Sequence, residues 1–336
     1  MYKPFQLFIK TCTYLSYNKI SNYFKLRRSF LSATPASGLS LNDALPFFVS
    51  VEPADFCQLR CPECPVGQAV HKKKDSTVIN NLLYKKLIDE LKPTLAHVIF
   101  YFQGEPLLNK EIPELIGYAH NAKIYTSTST NAQALTDNMA KKLVESGLDK
   151  LIVSVDGATQ DTYQQYRVGG KLEKALQGIG YVAKWKKELK SATPLIEMQF
   201  LVLKTNEHQM QEIKKVFKKS GADKLTFKTA QLYDFENGHE LLTTKAKYAR
   251  YEKREDGKYH IKGKRRKRCW RLWSGAVVNV KGDVLPCCFD KDSSYPYGNI
   301  NEKTFAECWH SNEAAGFRQK FLENRSQFEM CRNCTS

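Results

Sequence analysis

"LPFFVSVEPADFCQLRCPECP", residues 45–65, runs an aromatic and β-branched segment straight into three cysteines, Cys57, Cys61 and Cys64. The first half predicts a strand and the second a loop. Three thiols at spacings of four and three are one ligand short of a closed tetrahedral zinc site. A cubic iron-sulfur cluster held by three cysteines, by contrast, keeps one iron open for a substrate or cofactor.

The strand at 45–53 is the first of six. "LAHVIFYFQ" (95–103), "AKIYTSTST" (122–130), "LDKLIVSVD" (148–156), "LIEMQFLVL" (195–203) and "DKLTFKTAQ" (223–231) carry the same signature. Helical patterns lie between them: "INNLLYKKLIDELK" with Leu83, Leu87 and Leu91 on one face, "TDNMAKKLVESG" stopped by Gly147, "KLEKALQGIGYVAKWKKELK", and "NEHQMQEIKKVFKKSG" closed by Gly221. Repeated strand-helix units predict an α/β protein with a parallel sheet, and six of them a partial (β/α)6 barrel with its active site at the C-terminal strand ends. Polar loops follow those ends: the cysteines, then "QGEPLLN", "STN", "SVDG" and "KTNEH".

Composition sets the surroundings. With 336 residues and 42% hydrophobic content the chain can build a substantial core. No apolar run approaches the roughly 20 residues of a membrane span. The first 30 residues lack the continuous apolar core of a signal peptide, so a cytoplasmic protein is expected. Ten cysteines in that setting point to thiolate or metal chemistry rather than to disulfides. Cys12 stands alone and reads as a small buried hydrophobe or inert thiol. The net charge of +17 is sharpest in "KGKRRKR", Lys262–Arg268, within a polar stretch that reads as an exposed connector. That run has no interleaved aromatics and matches no recognition module, which argues against nucleic acid as a partner.

The C-x3-C-x2-C loop after strand one resembles the signature of the radical S-adenosylmethionine (SAM) superfamily, and the resemblance extends from about Leu45 to Gln231. It implies a [4Fe-4S] cluster on Cys57, Cys61 and Cys64 whose open iron chelates SAM, and cleavage of SAM to methionine and a 5'-deoxyadenosyl radical. "QGEP" is similar to the family's Gly-Gly-Glu motif with Gln103 in place of the first glycine, which assigns Gly104 and Glu105 to the SAM amino group. By the same resemblance Asn131, Ser154 and Asp156 surround the ribose and methionyl part. Arg167 pairs with the SAM carboxylate, and Gln199 and Leu203 flank the ribose and adenine. The position before the third cysteine, aromatic in many members and packed on adenine, is Glu63 here. Zinc on the triad would need a fourth ligand, and the nearest histidine is His71.

A second cysteine group closes the chain. "AVVNVKGDVLPCC" reads as a hairpin with a "KGD" turn running into cysteine, and the end carries "MCRNC". Cys269, Cys287, Cys331 and Cys334 resemble the ligands of a SPASM/Twitch extension holding one auxiliary [4Fe-4S] cluster. Glycine-to-cysteine spacing favours Cys287, leaving Cys288 as a packed thiol or an alternative ligand. Cys308, in a helical pattern with Phe305, Trp309 and Phe317, reads as core.

The expected organisation is an N-terminal helical extension (1–44), a barrel (45–235), a basic linker (236–268) and a small hairpin/helix auxiliary-cluster domain (269–336). Residues 1–44 read as aromatic-bearing helices, packed on the barrel or offered to a partner or membrane surface. Four thiolate-ligated irons leave no open position on the auxiliary cluster, which points to electron transfer. The expected reaction is a two-electron oxidation of a sugar or cyclitol alcohol or of a peptide side chain, with reduction by a flavodoxin or ferredoxin. Lys228, Tyr233 and Asp234 are positional candidates for the proton acceptor. RNA or peptide modification, and a structural zinc protein, are the alternatives.

Overall fold

Each apolar run becomes a strand: β1 (Phe48–Val51), β2 (His97–Phe100), β3 (Tyr125–Thr130), β4 (Lys150–Ser154), β5 (Leu195–Val202) and β6 (Lys224–Thr229). They lie side by side in sequence order, all parallel. The computed structural model describes residues 14–34, 41, 43–68, 76–263 and 267–335, so Cys12, His71 and residues 264–266 of the basic run lie outside the described residues.

Local chemistry accounts for the helices between the strands. Asn80 caps the helix Asn81–Leu91 by accepting from the Leu82 and Leu83 amides at 2.9 and 3.0 Å. Its buried face is Tyr84, Leu87, Ile88 and Leu91, while Leu83 sits at the margin. Gly221 ends the helix Met210–Ser220 with φ +84°, a left-handed conformation that favours glycine. The helix Ile112–Asn121 is one the sequence patterns above did not isolate: Pro113 stands at its start and Gly117 in its middle, blurring the periodic signal. The predicted helix around Cys308 is two, Phe305–Trp309 and Asn312–Glu323, and Cys308 is fully buried as core.

The C-terminal hairpin does not stand apart. Its strands β9 (Gly275–Val278) and β10 (Asp283–Leu285) pair antiparallel around the "KGD" turn, with β11 (Gly298–Asn299) beside them. β9 then pairs parallel with β1, Phe48 opposite Gly275 and Val51 opposite Val278. The result is one nine-stranded sheet in the order β11-β10-β9-β1-β2-β3-β4-β5-β6. The physical reason is the free edge of β1, a row of unpaired N–H and C=O groups that the wholly buried "GAVV" strand satisfies. One apolar core accordingly contains Val49 and Phe100 of the barrel together with Trp273, Trp309 and Phe317.

The stretch 236–268 is more than a connector. It holds a two-stranded ribbon, β7 (Tyr251–Lys253) with β8 (Tyr259–Ile261). Tyr251 stacks on Phe235 at 4.3 Å, and its hydroxyl donates to Asn333 Oδ1 at 2.8 Å. At the N-terminus the helix Tyr17–Ser32 sets Tyr23 and Phe30 edge-on against Trp270 at 5.8 and 5.2 Å. No helix among the described residues is long and apolar enough to cross a membrane.

The β1–β9 seam is testable. A Cβ at Gly275 would stand 2.2 Å from the Phe48 ring. Gly275→Val is expected to cost roughly 1–3 kcal/mol and to expose the C-terminal segment to limited proteolysis. An unchanged melting temperature and cleavage pattern would contradict the shared sheet.

Candidate active site

A cavity of about 530 Å³ opens at the C-terminal ends of the strands. Cys57, Cys61 and Cys64 line it from the loop after β1, Gly104 and Glu105 from the loop after β2, and Asn131 from the end of β3. Ser154 of β4, Gln199 of β5 and Lys228 of β6 complete that rim.

Glu105 ties these loops together. Its amide donates to Phe56 O at 2.8 Å, in the loop that carries the cysteines. Its buried carboxylate accepts from Thr130 Oγ1 at 2.5 Å and from the amides of Asn131 and Leu107 at 2.8 and 3.1 Å. Burial pushes its pKa up, and those donors oppose the shift. Gly104 makes the approach feasible: its φ is +62°, and a Cβ there would lie 2.2 Å from Ala54 O. Asn131 continues the chain of contacts, donating from Nδ2 to Cys57 Sγ at 3.4 Å while its Oδ1 accepts from Gln58 at 3.2 Å.

Arg167 is fixed from the other side. Its Nε donates to Asp156 Oδ2 at 2.6 Å, and Nη1 reaches toward Cys61 Sγ at 3.8 Å. Burial opposes the guanidinium charge, but Asp156 and the Cys61 sulfur outweigh it and drive the pKa up. Asp156 is 1% exposed, and its other oxygen accepts from the Leu201 amide at 2.7 Å. It therefore lies behind Arg167 rather than on the cavity wall.

Other predicted residues fall differently. Leu203 is fully buried in an apolar cluster and Leu201 lines the cavity instead. Gln199 and Leu201 share one face of β5, whereas Leu203 follows the strand's end and its amide turns to Asn206 Oδ1 at 2.8 Å. Of the proton-acceptor candidates, Lys228 and Tyr233 line the cavity, while Asp234 is exposed and not on its wall. Burial raises the Tyr233 hydroxyl to about 12, which keeps its proton in place. Glu63 pins the segment after β6 to the cysteine loop, accepting from the Tyr233 amide at 2.9 Å and meeting His239 Nε2 at 3.1 Å.

Tyr101, Phe102, Tyr166, Gln231, Arg250 and Lys291 also line the cavity and were not singled out from sequence. Arg250 and Lys291 arrive from segments distant along the chain. Only the "QGEP" neighbourhood hinted at Phe102, and nothing in the local pattern marks Lys291.

The second cysteine group gathers beside this cavity. Cys269, Cys331 and Cys334 are buried, and Cys331 lies within electrostatic reach of both others. Cys287 senses Cys269 as well. Cys288 acts on Tyr101, Tyr233 and Lys291 of the cavity wall, Cys287 acts on Lys291 too, and Cys288 takes a contact from Arg271 Nη1 at 3.5 Å. A hydrogen bond from Cys287, with Arg271 and Lys291 nearby, draws Cys288 down to about 6 and pushes Cys287 up.

The donor sets fit iron-sulfur clusters better than single ions. Among the described residues no three His, Cys, Asp or Glu side chains are gathered to hold one metal ion. The thiols instead fall in two sets, three lining the cavity and four in the C-terminal segment. Amide donors already aim at sulfur, from Leu59 N and Asn131 Nδ2 to Cys57. Burial raises Cys57 to about 12 and lifts Cys61 too, so bound iron must displace their protons.

Residues 51–215 match the radical SAM superfamily, and residues 269–335 match SPASM, an iron-sulfur cluster-binding domain. The chain belongs to the radical SAM superfamily and is a radical SAM enzyme with a C-terminal SPASM domain. Those domains imply SAM and [4Fe-4S] clusters, one of them auxiliary, and leave no place for a structural zinc reading. The chain is 24% identical over 303 residues to the S-adenosyl-L-methionine-dependent 2-deoxy-scyllo-inosamine dehydrogenase of Niallia circulans, covering 88% of this chain and 94% of that one. It is 25% identical over 313 residues to the PqqA peptide cyclase of Bradyrhizobium diazoefficiens, covering 86% and 79%. The structure of Streptococcus suis SuiB bound to S-adenosylmethionine superposes with a TM-score of 0.62 at 14% identity, over 94% of this chain and 76% of that one. At that identity the likeness speaks to the fold alone.

Replacing Glu105 by Gln would turn an amide donor toward groups that themselves donate. The expected cost is about 1–3 kcal/mol, read as a lower melting temperature, with iron lost from the first site and retained at the second. Full iron occupancy and wild-type stability would show that Glu105 does not hold the loops.

Proposed function

We propose that this enzyme oxidises an alcohol by two electrons. SAM bound at a cluster on Cys57, Cys61 and Cys64 would supply hydrogen-atom abstraction, and a cluster on Cys269, Cys287, Cys331 and Cys334 would take up the remaining electron as the alcohol proton leaves. The observation that carries the reading is the tie between the C-terminal cysteine segment and the cavity: Lys291, four residues after Cys287, lines it, and Arg250 of its wall holds the carbonyl of Asn333, next to Cys334.

The chain's own residues divide the work. Cys57, Cys61 and Cys64 hold the first cluster, and Cys269, Cys287, Cys331 and Cys334 the second. Arg167, backed by Asp156, meets the SAM carboxylate with a charge-assisted pair. Gly104 and Glu105 shape the wall for the SAM amino group, with Asn131, Ser154 and Gln199 alongside. Leu201 takes the part assigned from sequence to Leu203. The departing proton leaves to solvent at the cavity rim, since Tyr233 keeps its own. A small flavodoxin- or ferredoxin-type protein supplies electrons.

The match to the cyclitol dehydrogenase over 94% of its length supports an alcohol substrate. Peptide side-chain modification is the second reading, favoured by the identity to the peptide cyclase.

Cysteine variants separate the roles. Cys287→Ala is expected to hold about four irons against about eight in the wild type, and to cleave SAM without oxidising any alcohol. Cys288→Ala should keep about eight. The reverse pattern would reassign the fourth ligand, and alcohol oxidation by Cys287→Ala would remove the auxiliary cluster from the electron path.

A further inference from the structure

The cavity wall carries more positive charge than its carboxylates answer. Its basic side chains are Arg167, Lys228, Arg250 and Lys291, and its carboxylates are Glu63 and Glu105. Arg167 is bound to Asp156, Glu63 to His239 and the Tyr233 amide, and Glu105 to three donors. That leaves Arg250 and Lys291, with Lys228 at the exposed rim, and none of the three ion-pairs with a carboxylate among the described residues.

Arg250 and Lys291 both line the cavity and keep hydrogen-bonding capacity to spare. Arg250 Nη2 donates to Asn333 O at 2.7 Å, but its buried Nε has no partner. Lys291 Nζ donates to Phe102 O at 3.1 Å and lies 4.6 Å from the centre of the Phe102 ring. An ammonium has three donors and a guanidinium five, so both side chains have several to spare. The Phe102 and Asn333 carbonyls hold the two cations in place, and Cys288, Cys64, Cys287 and Glu52 answer only part of the charge of Lys291. Backbone structure supports the arrangement further, because Gln103 Nε2 donates to Lys291 O at 2.7 Å and anchors that loop to the rim of β2.

These cations come from opposite ends of the open sheet, Arg250 from the segment after β6 and Lys291 from the loop after β10. Each is tied to the second cysteine group: Arg250 holds the residue just before Cys334, and Lys291 follows Cys287 by four positions. A guanidinium and an ammonium with donors to spare on one cavity wall suit anionic oxygens.

We propose that the substrate carries an anionic oxygen group, a phosphate or a carboxylate, held between Arg250 and Lys291. Thr229, Gln231 and Tyr233 line the same cavity and carry groups that suit the hydroxyls of a polyol. The inference rests on reading the cavity as the place where SAM and substrate meet, and it deepens that reading by naming the charge of what enters.

The test is calorimetric titration of the full chain, with both clusters reconstituted and SAM bound, using glucose, glucosamine, glucuronate and glucose 6-phosphate. At least one anionic sugar should bind saturably and about tenfold or more tighter than glucose, with glucosamine weakest, and added salt should erode the margin. Preference for glucuronate alone or glucose 6-phosphate alone identifies carboxylate or phosphate. Lys291→Met and Arg250→Met should each abolish the margin while iron content and the SAM-induced cluster signal stay unchanged. Lys228→Met, at the exposed rim, should reduce it less. No anionic preference in protein that still binds iron and SAM would overturn this proposal and leave the oxidation reading standing. A preference that survives both substitutions would overturn the assignment to these residues. Protein that holds iron but gives no SAM response would instead sink the functional reading beneath it.

Discussion

The active site depends on one buried carboxylate. Glu105 is taken out of water, which penalises its charge, and the cost is offset only because donors from two loops converge on it. Its amide at the same time grips Phe56 in the cysteine loop. One residue thereby fixes the ends of β1, β2 and β3 relative to one another. Gly104 permits the contact, because any side chain there would collide with the Ala54 carbonyl. The cysteines inherit their position from this junction through Asn131 and its contact with Cys57.

A second constraint acts across the sheet. The free edge of β1 is covered by β9, so the segment carrying Cys287, Cys288 and Lys291 is held rigidly over the barrel mouth. The first thiol group lines the cavity, and the loop that follows Cys287 of the second is tied to its wall where Gln103 Nε2 donates to Lys291 O at 2.7 Å. Arg250 and Tyr251 reinforce the junction from the opposite end through Asn333.

Much of this was legible in the residues. The central strands announce themselves because they are largely buried on both faces and so run β-branched or aromatic, as in "LIVSV" and "IEMQFLV", and β6 keeps that pattern at the more exposed edge. The cysteine spacings and "QGEP" also point to their sites, since loop geometry there is local. What sequence spacing could not resolve is everything set by tertiary direction. Leu203 and Leu201 have the same parity along β5, yet the strand ends between them and only Leu201 faces the cavity. Asp156 looked like a cofactor contact and proves to stand behind Arg167. The pairing of β9 with β1 joins residues more than two hundred positions apart and brings the loop of Lys291 to the cavity, while Arg250 arrives from the segment after β6. No local pattern encodes such meetings.

The central claim is that the Cys57, Cys61 and Cys64 loop holds a SAM-binding cluster distinct from a second cluster at the C-terminal cysteines. Iron and sulfide analysis with electron paramagnetic resonance, on anaerobically reconstituted protein with and without SAM, tests it most directly against a triple alanine variant of those three residues. The account predicts about eight irons in the wild type and about four in the variant, with a SAM-induced spectral change in the wild type alone. Equal iron in both proteins, or a SAM response that survives the triple substitution, would contradict it.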